Sequence, residues 1–581
     1  GILQGDAPRR PEVQPILRDV RDLIERVMAE QEDPPGVWTA DRLKRTLGRY
    51  LHGERIVIVA NREPYVHERT AAGDIEVRHP ASGLVTALEP VMRACSGVWV
   101  AHGAGSADRE TVDSRDHVAV PPGEESYVLR RVWMTEAEEN GYYYGFANEG
   151  LWPLCHVAHT RPIFRVGDWE HYVRVNRKFA DAVCDEVDSD DPIILVQDYH
   201  FALAPKMIRE RLPRATILSF WHIPWPNAER IGICPWHDEI IAGLLGSSIV
   251  GFHTQQHCNN FIDSVDAFME SRIDREANAV VQSSRKTLVR AYPISIEWPV
   301  HWLTDIASIE ECRASVRRDL GLSDDALLGV GVDRLDYTKG IEERLLAVDE
   351  LLTRHPEFRG RFTFAQLGAP SRTKIGRYRE LNDRIEELAA EINRKWEHVG
   401  GNRPIALLRA HHEPPDVYRY LRAAHVCYVS SLHDGMNLVA KEFVAAQDPE
   451  DPGVLVLSRF AGAADQLREA LLVNPNSPEE LVVTVPRSPC AATADLREER
   501  SAKTILEQSS DADAIDDAVR PAAGLQQGVR GIALGQIQRV DGVAAGDFRV
   551  QIADVSVQRK ISNRRPQTFE FNTVDFGVNV L

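Results

Sequence analysis

With 581 residues the chain is long for one domain, and a composition of 43% apolar and 27% charged residues fits a globular protein with two or three cores. A net charge of −19 argues against nonspecific nucleic-acid binding, while local Arg and Lys clusters keep anionic small molecules open as substrates. The longest apolar runs (IVIVA, IILV, VLVL) are far too short for a bilayer, and no signal-peptide pattern stands at the start, so no membrane partner is expected.

In residues 1–53, Val13, Ile16, Leu17, Val20, Leu23, Ile24, Val27 and Met28 share one helical face. Asp33-Pro34-Pro35-Gly36 ends that helix, and a second one is predicted over 40–51. The first helix either packs on its own domain or docks elsewhere, as in a homo-oligomer. Arg55 begins the main body. Apolar runs at 56–60, 97–101, 193–197, 216–220 and 248–252 read as buried parallel strands, with helices at 169–187, 204–211 and 237–245 between several of them. A second alternation has strands at 327–332, 361–367, 405–409, 426–430 and 454–458, and helices at 340–354 and 374–396. Residues 292–302 link the two. The boundaries are therefore 1–53, 54–303, 304–475 and 476–581. Two α/β domains would bring their strand C-terminal ends around one ligand. From 476 onward the only aromatics are Phe548, Phe569, Phe571 and Phe576, and only the runs 481–485 and 548–557 look like strands.

Several strand ends carry chemistry. Asn61-Arg62-Glu63-Pro64-Tyr65 follows the first strand, and Arg62 there suits an acidic substrate group. Tyr142-Tyr143-Tyr144 and Leu151-Trp152-Pro153 offer rings for a sugar or for ordinary core packing. Asp198 and His222 end neighbouring strands, and prolines 224 and 226 hold His222 on a loop. Arg334 and Lys339 share a turn between strand and helix, from which a planar fork and a mobile ammonium both reach one diphosphate. The plainer reading of that turn is a surface ion-pair loop with Asp333 and Asp336. Arg372 is a further cation after the strand at 361–367. In SLHDGMNLVAKEFVAAQ (431–447), Asp434 lies on a turn and Glu442 follows within a helix. Free N–H groups at a helix start favour an anion, and an acid beyond them accepts hydrogen bonds from hydroxyls, as a nucleotide-sugar requires.

Absent motifs narrow the chemistry. There is no HExxH, GxSxG, DxDxT-like or Walker A motif, so no resident metal and no cofactor is expected; Arg and Lys would stabilise a leaving diphosphate instead. The eight cysteines show no CxxC spacing and read as reduced thiols of a cytoplasmic protein.

In order, DYH (198–200), HIPWP (222–226), RLDYTKG (334–340), APSR (369–372), DGMNLVAKE (434–442) and FAGAA (460–464) closely resemble the trehalose-6-phosphate synthase family. The match runs from about Arg55 to Pro475. It implies a two-domain GT-B fold, two Rossmann-like domains facing a central cleft, with a helical N-terminal extension and an atypical C-terminal tail. It implies retaining transfer of glucose from a nucleoside-diphosphate-glucose, a substrate and not a cofactor, to the sugar phosphate glucose 6-phosphate. By resemblance the donor is bound by Ser82, Gly83, Arg334, Lys339, Asp434, Gly435, Met436, Asn437, Leu438 and Glu442. The acceptor is bound by Arg62, Tyr143, Trp152, Asp198 and Arg372, and His222, Asp198, Arg334, Lys339 and Asp434 serve the transfer itself. Ser82 stands where the family usually has the first of two glycines, His102 where Trp is common and His433 where Arg is common. Arg62-Glu63-Pro64-Tyr65 is also similar to glucosylglycerol-phosphate synthases, which keeps another phosphorylated acceptor, such as glycerol 3-phosphate or a cyclitol phosphate, as an alternative. A catalytically silent sugar-phosphate-binding relative is a second alternative.

Overall fold

The computed structural model describes residues 55–483 apart from 80–82, 158, 283–284, 297–299, 305 and 450, together with Lys44 and Arg45. The helix read over 13–28 and the strand read at 548–557 lie outside the described residues. So does the helix read over 40–51, except for Lys44 and Arg45, which are helical.

The apolar runs become strands. The first group is β1 (Ile56–Val59), β2 (Val66–Arg69), β3 (Ile75–Arg78), β4 (Val98–His102), β5 (His117–Val120), β6 (Tyr127–Val132), β7 (Ile193–Gln197), β8 (Thr216–Phe220), β9 (Ile249–Phe252), β10 (Arg272–Asp274), β11 (Ala279–Gln282) and β12 (Arg285–Ala291). Ten of them form one sheet in the order β10-β11-β12-β9-β8-β7-β1-β4-β6-β5. Pairing is parallel from β12 through to β6 and antiparallel only at the two edges. The second group, β13 (Leu327–Arg334), β14 (Phe362–Ala369), β15 (Ile405–Leu408), β16 (Val426–Val429), β17 (Val454–Ser458) and β18 (Leu471–Val473), forms an all-parallel sheet ordered β15-β14-β13-β16-β17-β18.

Helices cover both faces of each sheet, which is why the strands read as unbroken apolar runs. In β1, Val57 and Val59 join the core on one face, and Ile56 and Ile58 join the core on the other. In β14, Ala365 and Leu367 face one core and Phe362 and Phe364 the opposite one. Each such Val, Ile, Leu or Phe side chain, fully buried, contributes about 1.5–3 kcal/mol. The architecture is two Rossmann-like α/β units. The chain passes between their cores within 292–294: Tyr292 packs in the first and Ile294 in the second.

In both sheets the strand order reverses beside the first strand, between β1 and β7 and between β13 and β16. Loops leaving two adjacent strands in opposite directions open a crevice at that point. Arg62 and Asp198 follow β1 and β7, Arg334 is the last residue of β13, and Asp434 follows β16.

Three features depart from the sequence reading. The run at 481–485, expected as a strand, is helical where described, within Pro478–Val483. Pro478 at the start and Glu479 and Glu480 in the first turn suit a helix N-terminus. The stretch 62–79 contains the hairpin of β2 and β3, paired outside both sheets. Residues Asn140–Leu151 form a π-helix, whose wider turn often occurs at functional sites.

Candidate active site

On the first unit, Asp198 adopts φ 73° with ψ 170°, a strained backbone conformation that persists only where surrounding contacts over-determine it. Its carboxyl accepts from the amides of Tyr199 (2.9 Å) and His222 (3.2 Å), so one side chain fixes the loops after β7 and β8 together. Burial lifts that carboxyl to about 6, against those two amides and the charge of Arg372. His222 Nε2 lies 2.9 Å from Gln197 Oε1, and burial pulls its imidazole down to about 3, so the ring is neutral at physiological pH.

The π-helix places its three tyrosines differently. Tyr142 is core, with its hydroxyl donating to Asn61 Oδ1 at 3.0 Å. Tyr144 meets the Lys374 ammonium, 4.8 Å from its ring. Tyr143 stacks on His200 with ring centroids 5.6 Å apart. Burial works against ionising the Tyr143 phenol, yet the guanidinium charges of Arg372, Arg62 and Arg334 outweigh it and lower its pKa. Three predicted cations thus converge on one predicted hydroxyl. Arg62 is exposed, and its guanidinium carries no ion pair or hydrogen bond among the described residues. Its backbone carbonyl is held by Trp99 Nε1 at 3.2 Å.

On the second unit, Gly340 ends the RLDYTKG turn at φ 62°, where a Cβ would sit 2.1 Å from the Ser430 carbonyl oxygen. That contact brings Lys339 to the loop after β16, and its ammonium lies 2.5 Å from Asp434 Oδ2. Ser431 Oγ (3.1 Å) and Asn437 Nδ2 (3.3 Å) donate to the same oxygen. Burial alone would raise the Asp434 carboxyl; the Lys339 charge prevails and holds it well below the usual range. Asn437, at φ 82°, caps the helix Leu438–Ala446 by accepting from the Ala440 amide, so the free amides of that first turn face the same crevice end. Met436 packs into the core. Glu442, one turn into the helix, has no hydrogen bond among the described residues, and burial raises its carboxyl to about 7.

The expected alternative of an ion-pair loop is corrected in detail. The acids of the 331–340 turn are taken, but not by its own cations: Asp333 pairs with Arg344 at 2.8 Å and Asp336 with Arg372 at 2.7 Å. Arg334 is left with no ion pair among the described residues, its guanidinium 5.7 Å from the Trp152 ring.

The two units meet along one seam. The Arg372 guanidinium lies 3.9 Å from the Trp152 ring, and Trp152 Nε1 is 3.4 Å from Asp336 Oδ1. Gly435 abuts the backbone of His222. Arg62, Tyr143, Trp152, Asp198, His222, Arg334, Lys339, Arg372, Asp434 and Gly435 therefore share this region. Ser82 lies outside the described residues, and Gly83 begins the helix Gly83–Cys95.

Four contributors escaped the sequence reading. Asp336 gathers donors from both units. His156, its ring 4.0 Å from that of Trp152, donates from Nδ1 to the Trp152 carbonyl; burial lowers it to about 3 with Asp434 and Lys339 nearby. Lys441 is buried and donates to the Ile294 carbonyl at 2.8 Å, while the Ile294 amide donates to His253 Nδ1 at 3.4 Å. The signal for Lys441 was a lysine on an otherwise apolar helix face; nothing local marked His253. No group of three or more His, Cys, Asp or Glu among the described residues is arranged to hold a metal ion, and the seven described cysteines are free. Among the described residues no helix is long and apolar enough to cross a membrane.

The family model described as Glycosyltransferase family 20 matches residues 54–511, so the likeness extends past Pro475. A curated trehalose-6-phosphate synthase from Mycobacterium avium is 38% identical over 441 residues, covering 74% of this chain and 87% of the relative. The crystal structure of an alpha,alpha-trehalose-phosphate synthase (UDP-forming) from Burkholderia vietnamiensis superposes with a TM-score of 0.68 at 28% identity, over 81% of this chain and 97% of the other. The corresponding enzyme from Burkholderia xenovorans, in complex with glucose-6-phosphate, gives 0.67 at 28% identity, over 81% and 100%.

Proposed function

The chain belongs to glycosyltransferase family 20, and from that premise we propose that it transfers glucose from a nucleoside-diphosphate-glucose, UDP-glucose first among them, to glucose 6-phosphate with retention, giving trehalose 6-phosphate. The observation that carries this reading is the convergence of Arg62, Arg334 and Arg372 on Tyr143, beside the Lys339–Asp434 pair. One cleft then has cations for two phosphate groups and an acid for sugar hydroxyls.

In the donor half, Arg334 and Lys339 take the diphosphate oxygens. Lys339 then exchanges its contact with Asp434 for phosphate, and Asp434 is released to accept from glucose hydroxyls. The backbone of Gly435, Met436, Asn437 and Leu438 completes the sugar and phosphate contacts, and Ser82 and Gly83 bind the same donor. Glu442 accepts from the ribose hydroxyls. His222, neutral through burial, offers an uncharged ring to the donor glucose near its anomeric carbon.

In the acceptor half, Arg62, Tyr143 and Arg372 clamp the phosphate, and Trp152 and Asp198 orient the sugar. The bond from the anomeric carbon to the diphosphate oxygen breaks, and the acceptor oxygen attaches on the same face. The acceptor's hydroxyl proton passes to the departing phosphate oxygen. Catalysis is then positioning plus electrostatic support of the leaving diphosphate.

Incubation with UDP-, ADP- or GDP-glucose and glucose 6-phosphate should release nucleoside diphosphate with at least one donor. Absence of release with all three would reject the reading, and glycerol 3-phosphate or a cyclitol phosphate in the same assay decides the acceptor.

A further inference from the structure

We propose that Asp336, which holds no substrate in the scheme above, is the positioning residue that aims Arg372 at the acceptor phosphate. This rests on the reading of Arg372 as a phosphate ligand.

Asp336 is completely buried, and both carboxylate oxygens are in use. Oδ1 accepts from the Thr338 amide (3.0 Å), Thr338 Oγ1 (2.9 Å) and, across the seam, Trp152 Nε1 (3.4 Å). Oδ2 accepts from Arg372 Nη1 (2.7 Å) and the Tyr378 hydroxyl (3.1 Å). Burial would raise this carboxyl, but the charges of Arg372 and Arg334 and the Thr338 amide keep it below its ordinary value, so it is an anion at neutral pH.

The consequence appears on the guanidinium. Nη1 also donates to the Tyr378 hydroxyl at 2.7 Å and is fully committed. Among the described residues Nη2 reaches the Tyr199 hydroxyl at 3.5 Å, near the limit of a hydrogen bond, and the Tyr143 hydroxyl also interacts with this guanidinium. Nε is buried and has no hydrogen-bond partner among the described residues. One end of the fork is therefore saturated, and the Nε–Nη2 edge is left open. That edge has the two parallel N–H groups that match two oxygens of a phosphate. Trp152 lies over the guanidinium face, 3.9 Å from its carbon, so the plane cannot turn freely. Arg372 itself holds φ 47°, a left-handed backbone costly for a non-glycine residue and tolerated where surrounding contacts over-determine it. A surface lysine in place of this assembly would supply charge but no orientation.

A purely structural tie between the units would show the same contacts, so the experiment has to separate the roles. Asp336→Asn removes the charge at nearly constant volume, and Tyr378→Phe removes one hydroxyl. Steady-state rates are measured against glucose 6-phosphate and unphosphorylated glucose at saturating UDP-glucose, with donor KM and the melting shift produced by inorganic phosphate. The expected result is an acceptor KM raised by roughly tenfold in Asp336→Asn and by about threefold in Tyr378→Phe, with donor KM unchanged and preference for the phosphorylated acceptor reduced. An unchanged acceptor KM in both variants overturns the proposal, as do equal losses on donor and acceptor. If Asp336→Asn does not fold, Tyr378→Phe decides alone. If the wild-type chain does not turn over glucose 6-phosphate, the reaction assigned above fails separately. The phosphate-induced melting shift then judges Asp336: present in the wild type and reduced in the variants supports its role, and any other pattern overturns it.

Discussion

The carbonyl oxygen of His222 stands where Gly435 can have no side chain: a Cβ on Gly435 would lie 2.3 Å from it. The two residues belong to different units, so this approach sets how closely the donor loop and the HIPWP loop face each other. Gly435→Ala should push the loops apart and lower kcat/KM by roughly a hundredfold, since a displacement near 1 Å is costly at a reacting centre. The melting temperature should change far less, and steady-state kinetics beside calorimetry checks both.

Lys339 and Asp434 form a pair within the site, not on the surface, with 13% of each side chain exposed. Lys339→Ala removes the phosphate contact and also strands the Asp434 charge. Donor KM should rise by about tenfold or more while acceptor KM stays within about twofold, the split expected when a donor-side contact alone is lost. Titration with UDP gives the binding part directly.

Glu442 gives the site a pH dependence of predictable sign. Its carboxyl is raised from an ordinary 4.5 to about 7 by burial. Only the ionised form accepts from both ribose hydroxyls, so UDP affinity should increase as pH rises through 7. Glu442→Gln should flatten that slope; titration of the nucleotide's own phosphate is common to both proteins and cancels in the comparison. Stability runs the other way. The folded group holds its proton above its unfolded pKa, so its stabilising contribution is complete below about 4.5 and is lost as pH rises through about 7.

Lys441 behaves in mirror image. Burial draws its ammonium from 10.5 down to about 7, so between those values the folded state holds fewer protons than the unfolded one. Stability from this residue should therefore increase from pH 7 towards 10. Lys441→Met should lose that slope in urea titrations at pH 7 and 9.5. It also leaves the Ile294 carbonyl without its donor, at a cost of about 1–3 kcal/mol.

Under the loop that carries Arg62, Arg131 is wholly buried between Glu63 (2.9 Å) and Asp108 (2.8 Å). Burial and the Asp108 hydrogen bond raise Glu63 to about 8, so Asp108 carries the negative charge that needs Arg131 at neutral pH. Arg131→Met should destabilise the fold by about 3–5 kcal/mol, the cost of leaving one buried charge unpaired. A urea midpoint shift at unchanged m-value is the check.

The strands most legible in the sequence were those buried on both faces: 193–197, 216–220 and 454–458 were placed to the residue, because an unbroken apolar run between turn signals has few other uses. The hairpin of β2 and β3 was not seen, since each strand is four residues long and all of β3 is exposed, so the alternation Ile75-Glu76-Val77-Arg78 is too short to mark a buried face. The π-helix was missed because its spacing matches neither helical nor strand period.

By itself the sequence determined that the chain alternates strand and helix twice. It also put Arg62, Asp198, His222, Arg334, Arg372 and Asp434 at strand ends, because burial period and turn chemistry are local properties of the chain. Only the tertiary structure decided which charges answer which. Asp336, 2 residues from Arg334, binds Arg372, 36 residues away, and Lys441 answers a carbonyl 147 residues away. Partner choice depends on distances across two switch points and a seam, and on which polar groups the folded units strip of water. Neither quantity exists until both sheets have formed and met.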